Sequence, residues 1–174
     1  MSCSPPACGL QIRGVPRPLP VEPLRGQMAA TAWPDGCPPA ILYHEHGYVL
    51  ARGGDAVLGS TMERAGYDAR VTNEGLAQIF RGAVRLLPAL MTQPVQRMWA
   101  GLRPATPDGR PILGRDPEVA RLWYATGHGR SGILLAALTG DITADLVTSG
   151  VPDVDIAPLS VDRFHEPQGS SRKA

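Results

Sequence analysis

The sequence predicts an α+β fold: an antiparallel sheet with one helix packed on it, followed by a separate closing strand and helix. Three observations carry this expectation. Short runs of strand-forming residues alternate with turn residues between Leu24 and Thr61. Apolar residues then recur at helical spacing from Leu76 to Leu87. Finally, Leu122 to Leu146, LWYATGHGRSGILLAALTGDITADL, reads as strand, glycine loop and helix.

In chain order, residues 1–22 hold Pro5, Pro6, Pro16, Pro18 and Pro20, too many for a regular element, and read as a Pro-rich leader, a linker or an incomplete edge. The segments Leu24 to Trp33, Ala40 to His44, Tyr48 to Arg52 and Ala56 to Thr61 are separated by Pro34-Asp35-Gly36 and Gly53-Gly54-Asp55. The last two segments flank a short Gly-rich loop, the signature of a hairpin. Leu76, Ile79, Phe80, Ala83, Leu86 and Leu87 then form one helix face, with Glu74, Gln78, Arg81 and Arg85 opposite and Thr72 placed to cap. Pro88 ends that pattern. A strand from Val95 to Arg103 puts Arg97, Trp99, Gly101 and Arg103 on one face. Thr106-Pro107-Asp108-Gly109 is a turn, and Pro111 to Gly114 begins the return toward Leu122. Ile133 to Leu138 are apolar on every side, so that helix start is expected to be buried, with Asp141 and Asp145 on a wetter face. Its N–H groups and the positive end of its dipole would favour an anionic or electron-rich ligand over Gly129 to Gly132. After Gly150 the residues read as a loose tail over 151–174.

Composition excludes several classes of function. At 174 residues the chain is long enough for one ordinary domain. The net charge of +1 suggests no particular partner, nothing resembles the basic patch of a nucleic-acid binder, and an aromatic content of 5% leaves little stacking surface, so no nucleic-acid partner is expected. Cys3, Cys8 and Cys37 lack C-x-x-C spacing and read as reduced thiols. The N-terminus lacks the pattern of a signal peptide and no segment reads as a bilayer span, so a cytoplasmic protein with no membrane partner is expected.

Gly127-x-Gly129-x-x-Gly132 has the spacing of a dinucleotide fingerprint, but the following strand and the acidic residue roughly 20 positions on are lacking, so the spacing alone does not make that site. His44-x-His46 places two imidazoles on one strand face, yet no third ligand is near in sequence, and no metal is expected. Arg103 sits between Leu102 and Pro104 after small Ala100 and Gly101; its fork suits a carboxylate, but residue type alone favours a surface or structural ion pair. Trp99 and Trp123 read as core or pocket-wall residues, and Tyr67 and Asp68 as a structural loop.

Trp99 to Gly114, WAGLRPATPDGRPILG, followed by Ala125 to Leu135, ATGHGRSGILL, closely resembles the C-terminal part of the FAD-dependent D-amino-acid oxidase superfamily, nearest in likeness to its glycine oxidase branch of thiamine biosynthesis. Pro23 to Gln27, Gly47 to Arg52, Gly59 to Glu63, Gly66 to Asp68, Pro158 to Ser160 and Asp162 to Phe164 agree in order, so the resemblance covers about residues 20 to 165. It implies a substrate-binding antiparallel sheet region over 23–105 and the C-terminal part of an FAD-binding domain, incomplete and Rossmann-like, over 106–150. Arg103 would bind the substrate carboxylate, with Tyr48 and Met62 lining the same pocket. Gly127, His128, Gly129, Arg130, Ser131, Gly132, Ile133 and Leu134 would contact the flavin, His128 through backbone positioning rather than proton transfer. Gly129, Ser131 and Ala51 depart from the residues usual in the family.

The activity so implied is FAD-dependent oxidative deamination of glycine or a small amino acid with oxygen as acceptor, and the family chemistry needs no catalytic residue of its own from this chain. The family's opening G-x-G-x-x-G element has no counterpart before Arg25. The expectation is therefore a partial chain, either a truncated or split reading frame or one whose missing FAD-binding half another chain supplies, with the complete protein a homo-oligomer. The alternative is a non-catalytic fragment serving as a substrate-binding or interaction module.

Overall fold

A computed structural model describes Val15, residues 18–45 and residues 47–164. The described residues fall into two units, Pro23–Leu102 and those of Met1–Glu22 together with Arg103–Ala174. The expected Cys3, Cys8, His46 and the end of the tail lie outside the described residues.

Strands β1 (Glu22–Ala32), β2 (Ile41–His44), β3 (Gly47–Arg52), β4 (Asp55–Gly59) and β5 (Val95–Ala105) form one sheet in the order β2-β3-β4-β1-β5. The expected hairpin joins β3 to β4. Arg52 pairs with Asp55 across a two-residue loop, and Gly53 and Gly54 both have positive φ, 61° and 89°, the conformation such a loop requires. On β5, Arg97 and Trp99 do share a face, the guanidinium lying 5.3 Å from the ring centre.

Helix α1 (Asn73–Leu86) packs on this sheet as its apolar period predicts: Ile79 and Ala83 are buried with Ala29, Val49, Ala56 and Leu58 in the core, and Phe80, Leu86 and Leu87 pack at its margin. Its start is fixed from the sheet. Thr72 accepts from Gly75 N, and the buried Gln27 of β1 holds Thr72 on both sides: Gln27 Nε2 donates to Thr72 Oγ1 (3.0 Å) and Thr72 N donates to Gln27 Oε1 (2.7 Å). Gln27 Nε2 also donates to Glu63 Oε1, and Arg25 pairs with Glu63 while donating to the carbonyls of Asp68 and Arg70. Burial works to raise the Glu63 carboxyl, but hydrogen bonds from Thr61, Arg25 and Gln27 hold it below the usual carboxylate range.

In the second unit, β6 (Ile112–Arg115) and β7 (Trp123–Thr126) pair antiparallel, Ile112 facing Thr126 and Arg115 facing Trp123. Helix α2 (Ala136–Thr148) packs on this pair. Leu19, Val21, Ile112, Tyr124 and Val161 make its core. Tyr124 Oη donates to Asp116, whose other oxygen accepts from the amides of Glu118 and Val119, so the buried carboxylate closes the β6–β7 connection.

Three expectations need correction. The helix begins at Ala136, not Ile133, and its start is not buried: Ile133 is 95% and Leu134 84% exposed, and Ile142 is the buried residue of α2. An all-apolar run signals surface that favours cover, but nothing among the described residues covers it. The tail is not loose over 157–164. There two 3-10 turns place Val161 in the core, and Arg163 donates to Asp108, to the carbonyls of Leu159, Ser160 and Arg110, and lies over Phe164. The leader, likewise, ends in Leu19 and Val21, both core residues.

Candidate functional site

The loop after β7 is shaped by what its glycines must fit. Gly127 has φ 77°, and a Cβ there would stand 2.6 Å from Thr106 Cγ2, so the loop can lie against Thr106 only as glycine. Thr106 is itself buried and donates to Arg110 O across the turn whose Gly109 N returns to Thr106 O. Ala105 and His128 form a bridge beside it. The imidazole of His128 reaches α2, its Nε2 lying 3.0 Å from Thr139 Oγ1, and burial pushes its pKa below the ordinary histidine value. The loop is thereby tied at one side to the end of β5 and at the other to α2.

Beyond that anchor the backbone opens. Gly129, at φ 53°, has open space where a side chain would sit. Gly129–Ser131 is one 3-10 turn in which Ser131 N donates to His128 O, and Leu135 N donates back to Ser131 O. The amides of Gly132, Ile133 and Leu134 have no protein acceptor among the described residues. They stand beside the exposed side chains of Ile133 and Leu134, with the guanidinium-bearing Arg130 exposed one turn earlier. Helix α2 follows without a side-chain cap or an acidic residue in its first turn. An apolar surface edged by three unused N–H donors and a nearby cation fits a flat, electron-rich ring system with carbonyl acceptors along one side, and a flavin has that form.

The remaining expected residues are distributed between the two units. Tyr48, on β3, faces Gly59 of β4 so closely that a Cβ on Gly59 would meet its hydroxyl at 3.0 Å, and the same hydroxyl lies 4.0 Å from Met28 Sδ. Met62 is 51% exposed and flanked by two anchored neighbours, since Thr61 Oγ1 accepts from Gln27 N and Glu63 N–H and C=O both pair with Arg25. Arg103 is half-buried near the end of β5 and belongs with the Gly127 to Leu134 loop in the second unit. His44 is exposed on β2; among the described residues no three metal-ligating side chains converge.

Sequence reasoning missed the supports of these positions. Thr139 carries no local signal, and the turn at Thr106 and the Pro23 to Gln27 segment do not show which distant residues Thr106, Arg25 and Gln27 hold. A tight glycine at Gly127 does imply a neighbour pressed against it, but not which one.

A family model described as FAD dependent oxidoreductase matches residues 6–146. Glycine oxidase of Bacillus subtilis is 41% identical over 127 residues, 72% of this chain and 34% of the relative. The bifunctional protein ThiO/ThiG of Trichormus variabilis is 38% identical over 154 residues, 86% of this chain and 24% of the relative. The crystal structure of glycine oxidase from Geobacillus kaustophilus superimposes with a TM-score of 0.79 at 33% identity, covering 85% of this chain and 40% of that one. The chain thus spans between about a quarter and two fifths of the length of the proteins it matches.

Proposed function

The chain belongs to the family of FAD-dependent oxidoreductases, and on that premise we propose that it supplies the substrate-carboxylate site and the flavin-contacting loop of an oxidase of glycine or another small amino acid. The observation that carries this reading is the row of unused amides at Gly132, Ile133 and Leu134 beside exposed apolar side chains. Bound FAD supplies the oxidation of the amine. Gly127 to Leu134 hold its ring: the three amides and the charge of Arg130 favour negative charge on the edge they face, and Ile133 and Leu134 keep water from it. Arg103 binds the substrate carboxylate through its planar fork. Because these residues bind and orient, no proton-transferring group is required of this chain.

The part of the relatives that this chain does not match carries the rest of the flavin site, and the oxidase has a role in thiamine formation. Support for the thiamine role comes from the likeness to a bifunctional ThiO/ThiG protein; among the described residues no helix is long and apolar enough to cross a membrane. The test is steady-state oxidation of glycine by the complete, FAD-loaded oxidase and its Arg103→Ala variant. Removing the guanidinium is expected to cost about 2 to 5 kcal/mol in kcat/KM for glycine. Unchanged kinetics would remove Arg103 from the site.

A further inference from the structure

A groove of about 310 Å³ runs between α1 and the end of β2, lined by His44, Gln78, Arg81, Gly82 and Arg85. Among the described residues every lining side chain is polar or glycine, and none is acidic. Gln78, Arg81 and Arg85 follow one stripe of the helix, outside the face that packs into the core, with Gly82 beside them toward β2. Neither Arg81 nor Arg85 pairs with a carboxylate among the described residues, whereas Arg25, Arg70, Arg97 and Arg163 all do. Two guanidiniums four residues apart repel one another, and an anion between them reverses that sign. Gly82 presents open space where a side chain would intrude, which leaves the floor between the two arginines clear. The helix ends at Leu86, so the negative end of its dipole works against an anion here and the guanidiniums must carry the attraction.

We propose that Arg81 and Arg85, with Gln78 and His44 on the walls, form a binding site for a small phosphate-bearing anion, separate from the amino-acid and flavin sites. The guanidinium fork matches a phosphate's oxygens two at a time, and Gln78 adds an amide donor. Size selects the class: the groove is at the lower end of ligand-site volumes, suited to a phosphate or pyrophosphate group and too small for a whole dinucleotide. The phosphate can belong to a free metabolite or to a lipid headgroup.

Calorimetric titration of the full chain with pyrophosphate, at low and at physiological salt, tests this. Saturable binding weakened at least tenfold in the Arg81→Gln/Arg85→Gln double variant, and largely kept in the double Lys variant, is the expected result. Glutamine is a good helix former and both positions are exposed, so the variant should melt with the parent. Co-sedimentation with phosphatidate vesicles, against phosphatidylcholine vesicles, identifies the source: capture by phosphatidate that pyrophosphate displaces marks a headgroup, and pyrophosphate binding without capture marks a free anion. Equal affinity in the double Gln variant, or no saturable binding to either probe, overturns the proposal.

Discussion

Replacing Gly75 by alanine should destabilise the protein, although the same change inside most helices stabilises it by about 1 kcal/mol. Gly75 lies in the first turn of α1, and a Cβ there would stand 2.2, 2.4 and 2.6 Å from Nε2, Cδ and Oε1 of Gln27. The nearest of these is 1.2 Å inside the 3.4 Å at which ordinary contact begins. Gln27 is fully buried and cannot swing aside freely, because its amide holds Glu63 Oε1 at 2.7 Å, Thr72 Oγ1 at 3.0 Å and Thr72 N at 2.7 Å. Clearing the methyl breaks these three bonds, each worth about 1 kcal/mol and more if a buried partner stays unsatisfied. Against the helix gain, the net loss is about 2 kcal/mol, or a fall in Tm of roughly 4 to 8 °C for a chain of this length. Urea denaturation at constant m-value and thermal unfolding measure it. A Gly75→Ala protein as stable as the parent would show that the Gln27 network yields and that the helix start is not set from the sheet.

Gly82→Ala is the control in the same helix. Its Cβ meets nothing within 4 Å, so the midpoint in urea should rise, by up to about 1 kcal/mol. Arg25→Met should lower stability by about 3 kcal/mol by stranding Glu63, and the Arg25→Met/Glu63→Leu pair should recover much of it, as measured by the same denaturation. Stability should fall in two stages on acidification. The first begins below about pH 6.5, because the folded state holds His128 below its ordinary pKa and protonation favours unfolding; His128→Gln should remove this stage. The second lies between about pH 4 and 2, since the hydrogen bond from Arg163, foremost, holds Asp108 at about 2; Asp108→Asn should blunt it in a pH series of thermal melts.

What was legible in the sequence was whatever local chemistry dictates. Gly53 and Gly54 announce the β3–β4 turn because only glycine takes both positive φ values cheaply, and Thr72 with the Leu76 to Leu87 period announces α1. Interactions between distant positions were not legible. Arg25 meets Glu63 across 38 residues and Arg163 meets Asp108 across 55, so neither the network under α1 nor the anchored tail leaves a periodic trace. The start of α2 misled for another reason: hydrophobicity reports what surface favours cover, not whether a cover is present. As for the site, the glycines at Gly127 and Gly129 and the fork of Arg103 are physical signals, but the roles of Tyr48 and Met62 came from resemblance alone.

The central claim is that the backbone from Gly132 to Leu134 meets the flavin, and amide NMR of the 15N-labelled chain titrated with FAD reads it at the atoms concerned. Saturable shifts at Gly132, Ile133 and Leu134, with Ile112 and Leu58 unmoved, are predicted. Shifts that never saturate, or that centre elsewhere while these three amides stay fixed, would contradict it.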